Sequence, residues 1–433
     1  MLTREMKDSG IEWIDHIPKE WDLKRMKYIL KERKLKNDPI VTKEILSLSV
    51  ERGVFPYSEK TGGGNKAKED LTAYKVTYPG DIVINSMNIL AGAVGLSKYE
   101  GAVSPVYYTL FADSNNIDIR YYYYLFQTEA FQKSLLGLGN GIMMKESSTG
   151  KLNTIRMRIP MEKLSALVLP LPSKETQIKI INHINGKVEF IDKIIFDTKQ
   201  SINEMGKYKQ SLITEAVTKG LDKNVEMKDS GVEWIGEIRK DWNLAKVNRL
   251  FAIKKNIANQ SGYDVLSVTQ NGLKVKDITR NEGQMAADYS KYQIVQPKDF
   301  VMNHMDLLTG WIDTAVQEGV TSPDYRVFYT KDNEIVLNEY YLYVFQICYT
   351  NRIFYGLGQG VSNLGRWRLQ TDKFLNFYLP LPPIHEQQQI VKYLNGKLLK
   401  INSLMEQKKN LLAALEQYKK SLIYEYVTGK KEV

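Results

Sequence analysis

Apolar residues recur along this chain in two rhythms, and each rhythm occurs twice. From Ile181 they step by three and four, through Ile184, Val188, Ile191 and Ile195 to Ile202, Met205 and Leu212. From Val391 the same steps run through Leu394, Leu398, Ile401 and Met405 to Leu412, Leu415 and Leu422. Such steps place one apolar seam on a helix face, and a seam held over several turns predicts a coiled coil. Each run follows a proline, Pro172 or Pro382, that suits a helix start. About 43 residues at a rise of 1.5 Å make a rod of roughly 65 Å. Both seams admit polar residues at matching places, Thr198 and Lys408, then Lys209 and Lys419. Polar seam residues fix register at some cost in stability; alternatively the lysine stems lie along the seam and carry their charge outward. Gly186 and Gly396 also sit inside the pattern. Each costs about 1 kcal/mol against alanine, so a close approach by a neighbour is expected there.

Ahead of each seam the pattern is different. EILSLSV from Glu44, GDIVIN from Gly80 and VYYTLF from Val106 are short β-branched or aromatic runs bounded by Gly, Pro or Asn, which reads as strands. RYYYYLFQTEAFQKSLLG from Arg120 and NEYYLYVFQICYTNRIFYG from Asn338 read as helices ending at glycine. The expected organisation is a mixed α/β domain at 1–172, a long helix and linker at 173–220, a second α/β domain at 221–382, and a second long helix with its tail at 383–433.

The halves are written alike. MKDSGIEWIDHIPKEW from Met6 returns as MKDSGVEWIGEIRKDW from Met227. LPLPSKETQIKIINHINGK from Leu169 returns as LPLPPIHEQQQIVKYLNGK from Leu379, and YKQSLITEAVTKG from Tyr208 as YKKSLIYEYVTGK from Tyr418. Between these anchors the match is weaker but collinear: YKVTYPGDIVINSMN answers YQIVQPKDFVMNHMD, SPVYYTL answers SPDYRVF, and GLGNG answers GLGQG. A repeat of half the chain points to duplication rather than to a solenoid.

Charge narrows the partners. A net charge of +10 and a pI near 9.1 favour a polyanion, nucleic acid before membrane. The single cysteine, Cys348, allows no intrachain disulfide and fits a reducing cytosol. The opening MLTREMKDSG lacks the apolar core of a signal peptide, and no run approaches the eighteen or so apolar residues of a membrane span. A cytoplasmic protein is expected. Tyrosines outnumber phenylalanines, 27 to 13, which suits stacking and hydrogen bonding but also half-buried strands.

Catalytic signals are thin. His16, His183, His304 and His385 have no metal-ligand spacing, and HEQQQ at His385 lacks the second histidine of a zinc-protease motif. GLGNG and GLGQG follow a helix rather than a strand and lack the dinucleotide glycine pattern, so a helix cap and flexible loop are expected. TGGGNKAKED at Thr61 is no P-loop; it could cradle a DNA phosphate with Lys66 or Lys68, or be a mobile hairpin tip. The tetrapeptide expected of an amino-methyltransferase, Asn or Asp followed by two prolines and an aromatic, is absent.

Taken in order and duplicated, MKDSGIEWIDHIPKEW, SPDYRVF, LPLPPIHEQQQIV and YKKSLIYEYVTGK make the whole chain resemble the specificity subunit of type I restriction–modification enzymes. The resemblance implies two tandem target-recognition domains joined by two long helices in an antiparallel coiled coil, a pseudo-twofold repeat. Each domain would read one half of a bipartite DNA target. It implies a non-catalytic chain without a cofactor of its own. Methylation would lie on two modification subunits using S-adenosylmethionine, and cleavage and translocation on restriction subunits using ATP and Mg²⁺. Trp13 and Trp234 are expected in the core. Arg239 in place of Pro18 leaves room for the two opening segments to differ in backbone. The DNA-binding candidates are polar loop residues that differ between the copies: Lys66, Lys68, Asn85, Asn88, Asn140 and Lys145 in the first domain, and Asn303, His304, Asp306, Tyr325, Arg326, Gln359 and Arg366 in the second. A free-standing DNA-binding protein is the competing reading, and a chain carrying its own methyltransferase a third.

Overall fold

The computed structural model describes residues 4–61, 66–140, 158–277, 288–360 and 367–433, with the backbone of two further short strands, Lys145–Glu146 and Leu152–Asn153. The chain forms two compact units, Met1–Thr198 with Asn410–Val433, and Lys199–Lys409. Each unit therefore takes in one α/β domain, the near part of one long helix and the far part of the other.

Both units are built on one plan. A four-stranded antiparallel sheet runs Lys31–Glu32, Tyr107–Phe111, Ile82–Asn85, Val94–Leu96 in the first unit. In the second it runs Phe251–Lys254, Arg326–Thr330, Phe300–Met302, Ile312–Thr314. A hairpin adjoins each sheet, Leu46–Ser49 with Gly53–Pro56 and Leu266–Thr269 with Gly272–Val275. The inner strands Ile82–Asn85 and Phe300–Met302 are buried but for Asn85, so they read as continuous apolar runs rather than alternating ones.

The expected helices after these sheets exist but are broken. Ile119–Gln127 stops at Thr128, whose extended backbone and hydroxyl cap a second helix, Glu129–Ser134. Asn338–Thr350 stops before Arg352, which is left-handed at φ 57°, and Ile353–Gly356 follows. Nor do Gly137, Gly139, Gly356, Gly358 and Gly360 of GLGNG and GLGQG act as left-handed caps; Gly141 lies outside the described residues. Gly358 is small because Trp367 packs onto it, with the indole stacked on Tyr355 at 5.4 Å.

The tyrosine excess has a structural use. Tyr121, Tyr122, Tyr340 and Tyr341 are fully buried, and each hydroxyl has an acceptor. Tyr122 donates to the Pro170 carbonyl at 3.2 Å and Tyr341 to that of Pro380 at 3.0 Å. Tyr121 donates to the Val427 carbonyl at 2.6 Å and Tyr340 to that of Val217 at 2.7 Å. The bonds to Val427 and Val217 tie the end of a long helix to the core of an α/β domain, and a buried hydroxyl is tolerated because it is paired.

The long helices span Lys174–Lys219 and Ile384–Val427, without interruption. In the first unit Lys419 donates to both oxygens of Asp192 at 2.6 and 2.8 Å, and the rings of Tyr426 and His183 lie 4.6 Å apart. Going back along one helix goes forward along the other, so they pack antiparallel. In the second unit Lys209 donates to Asn402 at 2.9 Å. Lys209 matches Lys419 and Asn402 matches Asp192 in the repeat, so one contact is made twice with the helices exchanged. Ile181, Ile184, Ile191, Leu212, Leu394, Leu398, Ile401 and Leu422 are buried; Val188, Ile195, Ile202, Met205, Val391, Met405, Leu412 and Leu415 are half-buried. Thr198 is buried in the seam. The glycine expectation fails: a Cβ at Gly186 or Gly396 would meet nothing within 4 Å.

The duplicated opening motif folds the same way twice. Met6–Asp8 pairs with His16–Pro18 and Met227–Asp229 with Glu237–Arg239 in the same register, so arginine in place of proline leaves the backbone unchanged. Gly10 and Gly231 turn the hairpins at φ 64° and 68°. The fully buried tryptophans are Trp21 and Trp242; Trp13 and Trp234 are half-buried against Phe131 and Phe377. Among the described residues no helix is long and apolar enough to cross a membrane.

Candidate nucleic-acid interface

The end of the sheet, the adjoining hairpin and the turn of the Ser-Pro-x-Tyr motif enclose a cleft in each unit. The first holds about 510 Å³ and the second about 600 Å³. They are the same cleft, made twice. Leu46 and Ser47 of the first hairpin are matched by Leu266 and Ser267. Tyr74, Asn85 and Met87 are matched by Tyr292, Asn303 and Met305, and Ser104 and Tyr107 by Ser322 and Tyr325.

Local structure explains how these side chains are held. Asn85 ends its strand directly opposite Tyr107 on the next one. Its Oδ1 accepts from the Met87 amide at 3.0 Å, and Asn303 does the same for Met305 at 3.3 Å, so each carboxamide is fixed in a local turn. The motif turn is braced from behind by different residues to the same end. Lys75 Nζ donates to the Tyr107 carbonyl at 2.8 Å, and Gln293 Nε2 to those of Tyr325 and Ser322 at 2.7 and 2.8 Å. In the first unit the amides of Ala67 and Lys68 donate to the hydroxyls of Tyr57 and Tyr74, both at 3.1 Å. Burial, with Tyr74 nearby, holds the Tyr107 phenol above its ordinary value. Tyr325 is raised likewise by burial. Both are neutral hydrogen-bonding groups near neutral pH.

The rims differ. Lys60, Lys66, Asn88 and Val106 border the first cleft; Lys274, Lys276, Asp306 and Asp324 border the second. Both offer ammonium groups, as a phosphate backbone would require. The second adds carboxylates where the first has an amide and an alkyl side chain.

The candidates read from sequence fall into three groups. Lys66, Asn85 and Asn88 come together in the first cleft, and Asn303, Asp306 and Tyr325 in the second. Within that group, Asp306 accepts from the Leu308 and Thr309 amides at 3.0 and 2.9 Å, so its carboxylate shapes the turn. Lys68 lies just beyond the first lining, exposed. Asn140 and Gln359 sit elsewhere, in paired backbone bridges with Arg158 and Arg368. Lys145 has only its backbone described, on the strand opposite Asn153, and Arg366 lies outside the described residues.

His304 and Arg326 lie behind the second cleft, 8% and 4% exposed. Arg326 donates to the Leu369 carbonyl at 3.0 Å and covers the Phe374 ring at 4.6 Å. It replaces Tyr108, whose hydroxyl makes the matching bond to Ile159 at 3.0 Å. Burial brings the guanidinium down to about 10, and burial with Arg326 and Arg368 nearby brings His304 down to about 3. The histidine is therefore neutral near pH 7. Sequence reasoning overlooked Ser47, Tyr74, Met87, Ser104 and Tyr107 because it sought residues that differ between the copies, whereas the cleft floor is what they share. Among the described residues no cluster of three His, Cys, Asp or Glu side chains is placed to hold a metal.

The duplicated α/β unit with its polar, lysine-rimmed cleft has counterparts among DNA-specificity proteins. The family described as type I restriction modification DNA specificity domain matches residues 239–414. The MjaVIII type I restriction enzyme specificity subunit of Methanocaldococcus jannaschii is 22% identical, over 96% of this chain and 94% of its own. The MjaX specificity subunit of that organism, described as putative, is 23% identical, over 97% and 96%. In fold, the chain matches one from a structure described as showing complex assembly and conformational transition of the type I R-M system. The TM-score is 0.68 at 11% identity, over 96% of this chain and 99% of that one. The resemblance carried by the duplicated motifs is thus borne out: the chain is similar to type I specificity subunits over nearly its whole length.

Proposed function

We propose that this chain is the non-catalytic reader of a type I restriction–modification complex, each unit taking one half of a bipartite DNA sequence. Residues 1–172 and 221–382 act as the recognition domains. The helices of 173–220 and 383–433 set their spacing and dock two modification subunits, with restriction subunits joining that assembly. S-adenosylmethionine, ATP and Mg²⁺ act on those partners, in the cytoplasm.

The observation that carries this reading is the twin cleft, one site built twice with a shared floor and different rims. A protein reading two unlike half-sites with two copies of one partner needs that combination of sameness and difference. The test exchanges residues 25–165 for the matching block of a related subunit and maps methylated positions made by the assembled methyltransferase. One half of the target should change and the other stay. Change in both halves, or in neither, overturns the proposal. Methyl transfer by the purified chain alone, given S-adenosylmethionine and DNA, would overturn its non-catalytic part.

A further inference from the structure

We propose that the repeated floor of each cleft is a pocket for the edge of one purine, the same purine in both half-sites, while the rim supplies what differs between them. This rests on reading the two units as DNA-recognition domains. It goes further by dividing each cleft into a common part and a part particular to its half-site.

The argument begins with where the copies agree. Bases are told apart by the pattern of donors and acceptors they offer. Two surfaces that meet different bases gain nothing from identical polar side chains at the point of contact. Yet seven lining positions carry the same residue in both clefts, and the charged residues all lie among those that differ. Packing explains Leu46 and Leu266, which are 3% and 4% exposed. It does not explain the partly exposed Asn85 and Asn303. A polar group kept at an open surface in both copies, and fixed there by a turn, is placed to meet something outside the chain.

The chemistry of the floor selects the ligand. None of the seven shared residues is charged at neutral pH, which disfavours a phosphate and leaves the backbone to the lysines of the rim. The floor offers a carboxamide, hydroxyls, a thioether and tyrosine rings, the groups that meet a base by hydrogen bonds and flat contact. Asn85 Oδ1 is held by the Met87 amide, which fixes the plane of the carboxamide. Its Nδ2 has no hydrogen-bond partner among the described residues. That leaves a donor for the N7 acceptor that purines present in the major groove, with the second lone pair of Oδ1 open to an exocyclic amine. Asn303 repeats the arrangement through Met305.

The test uses the assembled methyltransferase and duplexes in which each base pair of each half-site is changed singly. Asn85→Ala should weaken binding to the parent target roughly 10- to 100-fold and erase discrimination at one purine of the first half-site. Asn303→Ala should do so at the same kind of purine in the second. Asn85→Asp keeps the acceptor for the Met87 amide but loses the outward donor, so it separates misfolding from lost readout; it should behave as the alanine variant does. The rim transplant Asn88→Asp with Val106→Asp should leave that purine preference intact and alter a neighbouring one. Uniform weakening across all sequences, no change, or different bases at the two positions would overturn the proposal. If the exchange of residues 25–165 altered neither half-site, the underlying reading would fail instead, so the two failures are distinct.

Discussion

Glu386, in the first turn of the second long helix, ties that helix to the opening motif of the second unit. Its carboxylate accepts from Trp242 Nε1 at 3.2 Å and from Arg239 at 2.9 Å. Trp242 is fully buried, and the Glu386 and Arg239 side chains are 12% and 14% exposed. The first unit has the same layout without the acid. Thr176 stands at the matching place, and the buried Trp21 Nε1 has no hydrogen-bond partner among the described residues. Arg4 covers the Trp21 ring at 5.7 Å as Arg239 covers that of Trp242, also at 5.7 Å.

Glu386→Ala should therefore strand one buried N–H, at a cost of about 1–3 kcal/mol. The loss should stay below the ~3–5 kcal/mol of breaking a buried ion pair, because Arg239 keeps two hydrogen bonds to Asp241, at 3.0 and 2.8 Å. A favourable carboxylate at a helix N-terminus is lost too, worth ~0.3–1 kcal/mol. Roughly 2 kcal/mol of local stability is at stake, or about 30-fold in the local opening equilibrium. Whole-chain melting would blur two units, so peptide-level hydrogen exchange is the assay. Peptides from 237–246 and 384–394 should exchange faster and those from 16–25 and 174–184 should not. The reciprocal Thr176→Glu should slow exchange in the latter pair by supplying the missing acceptor. Protection within twofold of the parent for Glu386→Ala, or faster exchange for Thr176→Glu, would refute the reasoning.

The half-chain 1–220 should sediment as a dimer, because Lys209 and Val217 of a second copy can meet Asp192 and Tyr121 as Lys419 and Val427 do; a monomer, or dimers that persist in Ile191→Asp with Ile195→Asp, would contradict this. Replacing Lys66 and Lys68 by alanine should flatten the dependence of log affinity on log salt, by about 0.9 for each phosphate no longer neutralised, without altering which sequence is preferred. His304 takes a proton only near pH 3 when folded but near 6.5 when unfolded, so between those values the unfolded chain binds more protons and acid destabilises the second unit. His304→Ser, the residue found at Ser86, should move that unit's acid unfolding, followed by peptide-level exchange, to lower pH.

The large design was legible because helix seams and repeats are local patterns. Ile181 through Leu422 announce two long helices by spacing alone, and the paired anchors announce that one domain is written twice. The breaks at Thr128 and Arg352 were not legible, since YYYYLFQTEAF has helical composition throughout and only a side chain capping its own backbone divides it. His304 and Arg326 read as loop residues because nothing local distinguishes an exposed arginine from one lying over Phe374 behind a sheet. Asp306 read as a DNA-binding candidate for the same reason, although its carboxylate accepts from the Leu308 and Thr309 amides. The cleft was half legible. Asn85 and Asn303 read as polar loop residues that differ between the copies, though they match; Tyr74, Ser104 and Tyr107 come from distant segments that only the fold assembles.

Duplication alone would leave this chain indifferent to which helix end packs where, since the apolar seams repeat. The polar residues break that indifference. Lys419 meets Asp192, an ion pair, while Lys209 meets Asn402, a neutral acceptor. Two first-half helices would pair Lys209 with Asp192 twice, and two second-half helices would pair Lys419 with Asn402 twice. Both bonds come from a lysine ammonium, and at this exposed site the carboxylate adds no more than about 1 kcal/mol over the amide, so self-association of the first half is slightly favoured over that of the second. One chain holding one helix of each kind contains both pairings and needs no choice of partner. The carboxylate of Asp192 and the amide of Asn402 are thus what distinguish two otherwise matching helix contacts.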